Sequence, residues 1–194
     1  MPSYRAEAIV LRTHKLGEAD RIITMLSREH GKFRAVAKGV RRTRSKFGAR
    51  LEPFSRVDVL IHTGNTLDVI TQAESLDAFG KDMTLDYGMW TAGQTMLETA
   101  DRLASEESAD SRDLYVLLVG ALRTLTTGGH NPSLVLDAFI LRSLSHSGYE
   151  PALHGCVICG EGGDQPFFHV ASGGAVCAMH RPPGSVAPKP ESIA

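Results

Sequence analysis

Residues 31–54 have the sequence GKFRAVAKGVRRTRSKFGARLEPF, a strongly basic stretch of the chain. The stretch contains eight lysines and arginines, and its first acidic residue is Glu52. A run of like charges repels itself, so it must be either solvated or neutralised by a polyanion. This stretch is therefore the first candidate for a functional surface.

The pattern of side chains changes partway through the stretch. In residues 32–38 basic side chains alternate with Phe33, Ala35 and Ala37, which predicts a half-buried strand. Residues 39–48 lose this alternation, and the glycines that bracket them predict a mobile loop. Leu51, Phe54 and Val57 then return the chain to a core. Residues 38–54 are called the basic segment below. A basic loop between two strands is suited to clamp a nucleic-acid backbone; the alternative is a solvated loop without a ligand.

Charge is divided unevenly along the chain. The 194 residues carry a formal charge of -1, but residues 1–50 hold 13 basic and 4 acidic residues, a net charge of +9. The remainder holds 8 basic and 18 acidic residues, a net charge of -10. One end should therefore attract polyanions while the other repels them, and this asymmetry favours more than one domain.

Several absences indicate the compartment. The N-terminus includes Arg5 and Glu7 and has no long apolar run, unlike a signal peptide. No stretch approaches the ~18 consecutive apolar residues of a membrane span. Three clustered cysteines, an odd number, argue against a secreted disulfide scaffold. We therefore expect a cytoplasmic protein without membrane contact.

The first 78 residues predict a small antiparallel barrel. Five short segments rich in apolar and β-branched residues are separated by turns, of which Gly64-Asn65 is the tightest. The five segments are residues 4–13, 21–27, 32–38, 57–62 and 67–72. The oligonucleotide-binding (OB) barrel is the commonest such architecture and binds on one sheet face and its loops. Other five-stranded barrels would give the same pattern.

From Thr84 onward the hydrophobic period becomes helical, and three helices are predicted. A polar break over residues 106–111 separates the first two, and Gly128-Gly129 ends the second. Asn131-Pro132 has the pattern of a helix start, and Gly148 that of a helix end. The apolar face of the first helix should include Leu85, Met89, Met96, Ala100 and Leu103, and that of the third Leu134, Phe139, Ile140 and Leu144. We interpret Met89, Trp90 and Met96 as core residues and not as a ligand pocket.

Two short motifs in the last 40 residues have the spacing of metal ligands. Cys156-Val-Ile-Cys159 and Cys177-Ala-Met-His180 supply four donors at the spacing of structural zinc sites, across a gap of 17 residues. The fourth ligand could instead be His154 or His169, and the alternative to zinc is three unliganded thiols. A filled tetrahedron leaves no position for water, so we expect a structural ion.

These patterns together predict an α+β multidomain protein. We place an OB-type domain at residues 1–78, a helical domain at 79–150, a zinc-finger module at 151–183 and a proline-rich tail at 184–194.

Three ordered blocks of sequence carry a resemblance to a known family. They are EADRIITMLSREHGKFRAVAKGVRRTRSKFGARLEPF (Glu18–Phe54), LDAFILRSLSHSGYEPALHGCVICG (Leu136–Gly160) and GGAVCAMHRPPGS (Gly173–Ser185). Through them the chain resembles the RecO family of bacterial DNA-repair and recombination mediators over nearly all of its length. The resemblance implies an N-terminal OB barrel, a helical domain and an embedded zinc module.

The resemblance also implies a role and partners. Such a protein binds single- and double-stranded DNA, anneals complementary strands, and helps RecR to load RecA onto strands coated with single-stranded DNA-binding protein. The partners would be DNA, RecR, the C-terminal tail of single-stranded DNA-binding protein and, indirectly, RecA, all in the cytoplasm at the nucleoid. Arg142, beside Leu141 and Leu144, is one candidate rim for the acidic tail; the alternative is an exposed arginine without a partner.

The chain departs from the family pattern in two ways. Many members with a metal site place cysteine where His180 stands here, so the fourth ligand stays open. Members also usually continue into further helices after the proline-rich segment. Because this sequence ends at Ala194, we expect it to be truncated.

Nine basic residues are predicted to contact DNA phosphates. Six are on the basic segment and three on neighbouring strands: Lys38, Arg41, Arg42, Arg44, Lys46 and Arg50, then Arg12, Lys15 and Arg34. Phosphate contacts are indifferent to base sequence, as annealing requires. Nearby stacking aromatics are few, Phe33 and Phe47 with Phe54 expected in the core, so charge should outweigh stacking.

Two other classes of function stay open. An OB barrel joined to a zinc ribbon also fits an RNA-binding protein of translation or transcription, which would prefer RNA and would not anneal DNA. A metal-dependent enzyme is the second alternative. The sequence has no phosphate loop, no G-x-S-x-G motif and no H-E-x-x-H motif, so we expect no catalytic activity.

Overall fold

The structure, a computed structural model, describes residues 2–104 and 108–189, and the side chains of residues 108–110 are not considered. Part of the predicted polar break and the end of the proline-rich tail lie outside the described residues. The chain forms two compact units, one ending at Ser143 and the other beginning at Leu144. Among the described residues, no helix has the length and apolar character needed to span a membrane.

The first unit begins with a closed barrel of five strands. They are β1 (Ser3–Leu16), β2 (Asp20–Ser27), β3 (Gly31–Ala37), β4 (Ser55–His62) and β5 (Asp68–Ala78). Their order around the barrel is β1-β2-β3-β5-β4, and every pairing is antiparallel except that of β3 with β5. The predicted barrel of OB type is confirmed.

Alternation of side chains explains why these segments become barrel strands. In β4 the side chains of Val57, Val59 and Ile61 are fully buried inside the barrel, while those between them are only partly buried. In β1 the interior residues Ala8 and Val10 alternate with Ile9 and Leu11, which are buried outside the barrel among helical residues. Strand β1 is therefore covered on both faces, and the helices pack onto it.

The barrel closes at a narrow seam between β3 and β5. Only two residue pairs join these strands, Ala35 with Asp68 and Val36 with Val69, whereas β1 and β2 pair at eight positions. The Nζ atom of Lys46 donates a hydrogen bond to the carbonyl oxygen of Thr71 on β5, at 2.7 Å. The basic segment, which follows β3, thus adds a contact beside the seam.

Four helices follow the barrel: α1 (Gly80–Met83), α2 (Tyr87–Leu103), α3 (Ser108–Thr127) and α4 (Pro132–His146). The side chain of Asn131 accepts a hydrogen bond from the Ser133 amide at 2.9 Å, which confirms the predicted start of α4. Two predicted core residues are exposed instead. Leu85, 86% exposed, lies in the turn before α2 begins, so the helical period does not apply to it. Leu134, 66% exposed, lines an open cavity between α3 and α4.

Phe54 joins the barrel to the helices. It is the only non-glycine residue with positive φ in the described part of the chain (φ 69), a conformation that costs on the order of 1–3 kcal/mol. Its ring is 1% exposed and lies against Gly80 and Gly93. A Cβ atom on Gly93 would lie 3.0 Å from Phe54 Cε1 and 2.9 Å from Met83 Sδ, so glycine is needed for this close packing.

A polar network also links the barrel to α3. The hydroxyl of Tyr115 donates to Glu7 Oε1 at 2.7 Å, and Glu7 lies 3.4 Å from Arg56 Nε. Arg56 pairs with Asp77 at 2.8 Å, and Arg123 of α3 reaches the same carboxylate at 3.5 Å. Burial, followed by the hydrogen bond to Glu7, raises the pKa of Tyr115 above its ordinary value of 10.0. The phenol therefore stays protonated and keeps donating across this interface.

Candidate nucleic-acid interface and metal centre

The basic segment is packed onto the barrel. It is a series of turns, and its apolar residues Val40, Phe47 and Leu51 are 9%, 1% and 1% exposed in the barrel core. We expected a mobile loop between residues 39 and 48, but these three anchors hold the backbone against the barrel. Phe47 is consequently buried, and the prediction that it is available for base stacking is wrong.

Hydrogen bonds to backbone carbonyls fix three of the nine predicted phosphate contacts. Arg41 donates from Nη1 to the carbonyl oxygens of Gly17 and Glu18 at 3.1 and 2.8 Å, which ties the basic segment to the turn between β1 and β2. Arg50 donates to the carbonyl oxygen of Lys46 at 3.0 Å, and Lys46 donates to Thr71. Because these acceptors carry no formal charge, the positive charges remain available to an anion.

Five further members of the set are exposed and carry free charge. They form no salt bridge with any residue in the described ranges. They are Lys15, Arg34, Lys38, Arg42 and Arg44. Their charges are therefore available to phosphates.

Arg12 differs from the other eight. Its Nε lies 3.1 Å from Asp101 Oδ2, on the last turn of α2. Lys32, which is outside the nine predicted contacts, donates from Nζ to the carbonyl oxygen of Asp101 at 2.6 Å, and its Nζ lies 3.7 Å from Asp101 Oδ1. Asp101, only 13% exposed in its side chain, thus neutralises part of the charge of both residues. Arg12 stays a predicted phosphate contact, weakened by this ion pair.

Strand register brings the basic residues of β1, β2 and β3 into rows. Arg12 pairs with Thr24, and Thr24 pairs with Arg34. Nearer the basic segment, Lys15 pairs with Arg21, which pairs with Ala37. Residues distant in sequence are therefore neighbours within each row. The two rows face opposite sides of the barrel wall, because Arg21 and Thr24 lie three positions apart on β2. Arg21 Nη1 lies 2.5 Å from Oε1 of Glu52, the first acidic residue of residues 31–54. Because Glu52 is paired in this way, its charge repels a nearby anion less.

The second unit contains a hairpin that places the metal-ligand candidates. Strands β6 (Phe167–His169) and β7 (Gly174–Val176) pair antiparallel, and Cys177 directly follows β7. The amide of Val157 donates to the carbonyl oxygen of Ala175 at 2.9 Å, which holds the first cysteine pair beside β7. Gly174 is needed here because a Cβ atom would lie 2.5 Å from the carbonyl oxygen of Ala152.

The four predicted ligands converge. The donor atoms of Cys156, Cys159, Cys177 and His180 all lie within 4.8 Å of one another. Cys159 Sγ is 4.0 Å from Cys177 Sγ, close to the ~3.8 Å between sulfurs of a tetrahedral site with metal–sulfur bonds of ~2.3 Å. Cys177 Sγ is 3.2 Å from His180 Nδ1. Three thiols and one imidazole around a common centre are a donor set that fits a metal ion.

Local hydrogen bonds shift the pKa values of the first two cysteines in opposite directions. The backbone amide of Cys177, ahead of the opposing effect of burial, lowers the pKa of Cys156 to about 6. The amide of Glu161 stabilises the thiolate of Cys159, but the neighbouring Cys156 side chain and burial outweigh it, and the pKa of Cys159 is raised. One thiolate is thus favoured before a metal binds, and a cation would favour the others.

The structure separates the histidine candidates for the fourth ligand. His180 belongs to the cluster, whereas His169 Nδ1 lies 2.7 Å from Ser172 Oγ and is engaged there. His154 is exposed and is not part of the group found among the described residues. Sequence spacing alone left these three alternatives open.

Comparison with known proteins gives matches along nearly the whole chain. The family described as "Recombination protein O N terminal" matches residues 1–79, and that described as "Recombination protein O C terminal" matches residues 84–194. The chain is 54% identical over 194 residues to the DNA repair protein RecO of Thermobifida fusca (strain YX), covering 100% of this chain and 80% of that protein. It is also 54% identical over 194 residues to the DNA repair protein RecO of Nocardioides sp. (strain ATCC BAA-499 / JS614), covering 98% of this chain and 80% of that protein.

Proposed function

Because the chain belongs to the RecO family of DNA repair proteins, we propose that it is a non-enzymatic recombination mediator of the bacterial cytoplasm. In this role it binds single- and double-stranded DNA and anneals complementary strands. It also assists RecR in loading RecA onto strands coated with single-stranded DNA-binding protein.

One observation carries the DNA-binding part of this proposal. Eight of the nine selected basic residues form no salt bridge with the described part of the chain, and they lie on the basic segment or on strands beside it. Such a surface binds phosphates without regard to base sequence. It therefore suits a protein that must act on any strand.

Annealing follows from the same charge. Two complementary strands repel each other through their phosphates, and neutralising part of that charge lowers the barrier to their encounter. Base pairing then supplies the driving force. The protein needs no catalytic group for this step, only cations that hold DNA without covering the edges of the bases.

A cavity of about 710 Å³ between α3 and α4 is our candidate site for the acidic tail of single-stranded DNA-binding protein. Its wall is mostly apolar, with Leu117, Leu134 and Phe139, and Arg142 contributes a positive charge to the lining. The apolar wall would receive hydrophobic side chains of the tail, and Arg142 would pair with a carboxylate. Substituting Arg142 by alanine should weaken binding of the tail peptide and leave binding of bare DNA unchanged.

We propose that the cysteine cluster holds one structural zinc ion. Cys156, Cys159, Cys177 and His180 would fill a tetrahedral site, which leaves no open position for a substrate. When bound, the ion cross-links the two motifs. In small modules such binding contributes on the order of 10 kcal/mol to folding.

The experiment that tests the proposal is annealing of two complementary oligonucleotides, each coated with single-stranded DNA-binding protein. Adding the chain should accelerate annealing, and the R42A/R44A variant should do so less, because both arginines are exposed and form no salt bridge within the described residues. R102A/R112A removes two arginines from the helices and serves as the control. DNA binding without annealing would reduce the proposal to a binding module. A preference for RNA would favour the translation or transcription alternative, and absence of binding would overturn the proposal.

A further inference from the structure

A second cavity, of about 670 Å³, lies between the basic segment and the beginning of the helices. Trp90, which packs on the buried ring of Phe54, contributes the accessible aromatic surface of its wall, and Arg50 and Lys81 contribute positive charge. We propose that this cavity receives an unstacked base of single-stranded DNA while the flanking phosphates contact Arg50 and Lys81. This inference rests on the proposed function and names a base-binding site within it.

The aromatic wall suits the flat face of a nucleobase. We expected Trp90 in the core; it packs against the helical core but is only partly buried, and it lines the cavity. Its ring packs on Phe54 with a centroid separation of 5.2 Å and an interplanar angle of 58°. Every base offers a π face, so stacking on tryptophan tolerates any sequence. Binding here would therefore preserve the indifference to sequence that annealing requires.

Charge around the cavity favours a polyanion. Among the described residues, Arg50 donates to the carbonyl oxygens of Lys46 and Phe47 and to no carboxylate, and Lys81 is exposed and forms no salt bridge. Glu52, the acidic residue of the wall, is occupied by Arg21 at 2.5 Å. The net charge at the rim is therefore positive, and it continues that of the basic segment.

The wall is built before any ligand arrives. Phe54 is held in its left-handed conformation, with its ring between Gly80 and Gly93. A partner that enters a preformed site loses less conformational freedom on the protein side. Because the ring of Phe54 is held against these two glycines, it gives the ring of Trp90 a fixed support.

The sequence supplies its own probe, because Trp90 is the only tryptophan. We would titrate the full chain with an oligo(dT) strand and with an abasic strand of equal length and charge. Intrinsic fluorescence reports on Trp90, and anisotropy of a labelled strand reports on binding. Oligo(dT) should quench Trp90 and the abasic strand should not, although both bind.

Substitutions test the site independently of the fluorescence of Trp90, because anisotropy of the labelled strand measures binding. W90L should weaken oligo(dT) binding about fivefold or more and leave abasic binding unchanged, because one stacked base is lost. W90F should retain the difference in affinity between the oligo(dT) and abasic strands, since phenylalanine keeps an aromatic ring for stacking. Y87L removes an aromatic residue of the same helix, 84% exposed and outside the cavity, and should change neither affinity.

The outcomes separate this inference from the proposed function. Equal quenching by both strands, or none from either while both bind, would overturn the base site and leave DNA binding standing. Failure of both strands to bind would overturn the proposed function itself. Quenching by an acidic peptide, and not by oligo(dT), would assign the cavity to a protein tail and refute the base site.

Discussion

The salt dependence of DNA binding is the sharpest test of the charge distribution described above. Each phosphate neutralised on a single strand contributes about 0.7 to the slope of log K against log salt. Six basic residues lie on the basic segment, so six contacts predict a slope of about -4. Between 50 and 200 mM salt, the affinity of the unmodified chain should then fall about 300-fold.

The R42A/R44A variant removes two of these charges. Neither side chain forms a salt bridge within the described part of the protein, so the substitutions should leave the barrel intact. The slope should become shallower by about 1.4, and the same increase in salt should weaken binding only about 50-fold. Fluorescence anisotropy of a labelled oligo(dT) strand across this range measures both slopes.

The control variant R102A/R112A loses the same net charge from α2 and α3. If long-range attraction alone mattered, both variants would change the slope equally. We expect the control to keep the slope of the unmodified chain, since neither helix residue belongs to the basic surface. An unchanged slope in R42A/R44A would refute direct phosphate contact by these arginines, and a slope near zero in the unmodified chain would refute a backbone-dominated site.

Three further predictions concern stability. G93A should destabilise the first unit by about 1 kcal/mol, because overpacking against Phe54 and Met83 outweighs the gain in helix propensity. G120A, at a glycine of α3 with open space around it, should instead stabilise the unit by about 1 kcal/mol. Urea unfolding measures both changes. Y115F should cost about 1–2 kcal/mol through loss of the hydrogen bond to a carboxylate. Because folding raises the pKa of Tyr115, its contribution is complete below pH 10 and is lost as the pH rises further, so Y115F should lose less stability than the unmodified chain on alkaline titration. Chelation of the metal, or C156A, should increase hydrogen exchange in the second unit while DNA binding by the barrel is partly retained.

Each of these predictions has an outcome that contradicts it. Stabilisation by G93A equal to that by G120A would show that the helix shifts freely away from the barrel. An identical alkaline transition in Y115F would show that the phenol does not hold the interface. If chelation reduced DNA binding as strongly as it reduced hydrogen-exchange protection in the second unit, DNA binding could not be assigned to the barrel independently of the metal site.

Local sequence patterns predicted the elements well. Alternation at Val57, Val59 and Ile61 identifies a barrel strand because every second side chain must point inward. Asn131 identifies a helix start because its side chain caps a free amide. Cysteine spacing identifies the metal cluster because two residues between ligands allow one turn around an ion.

Contacts between distant segments could not be predicted in the same way. Val40 and Phe47 follow no strand or helix period, so the sequence gives no signal for their burial against the barrel. The pairing of Asp101 with Arg12 depends on how α2 lies on β1, and a single sequence carries no signal for that geometry. Tertiary packing thus determines which basic side chains are paired with a carboxylate and which are not.

The seam between β3 and β5 places a limit on how the basic segment can be altered. Two residue pairs join these strands, and Lys46 adds a hydrogen bond to β5 beside them. A shuffled segment with the same number of arginines and lysines would retain its attraction for phosphates and lose both this contact and the buried anchors. Attraction for phosphates thus depends on the number of basic residues in the segment, whereas its attachment to the barrel depends on which residue stands at each position. Any redesign for tighter DNA binding must therefore leave Lys46, Phe47 and Leu51 in place, or the barrel will open first where it is joined least.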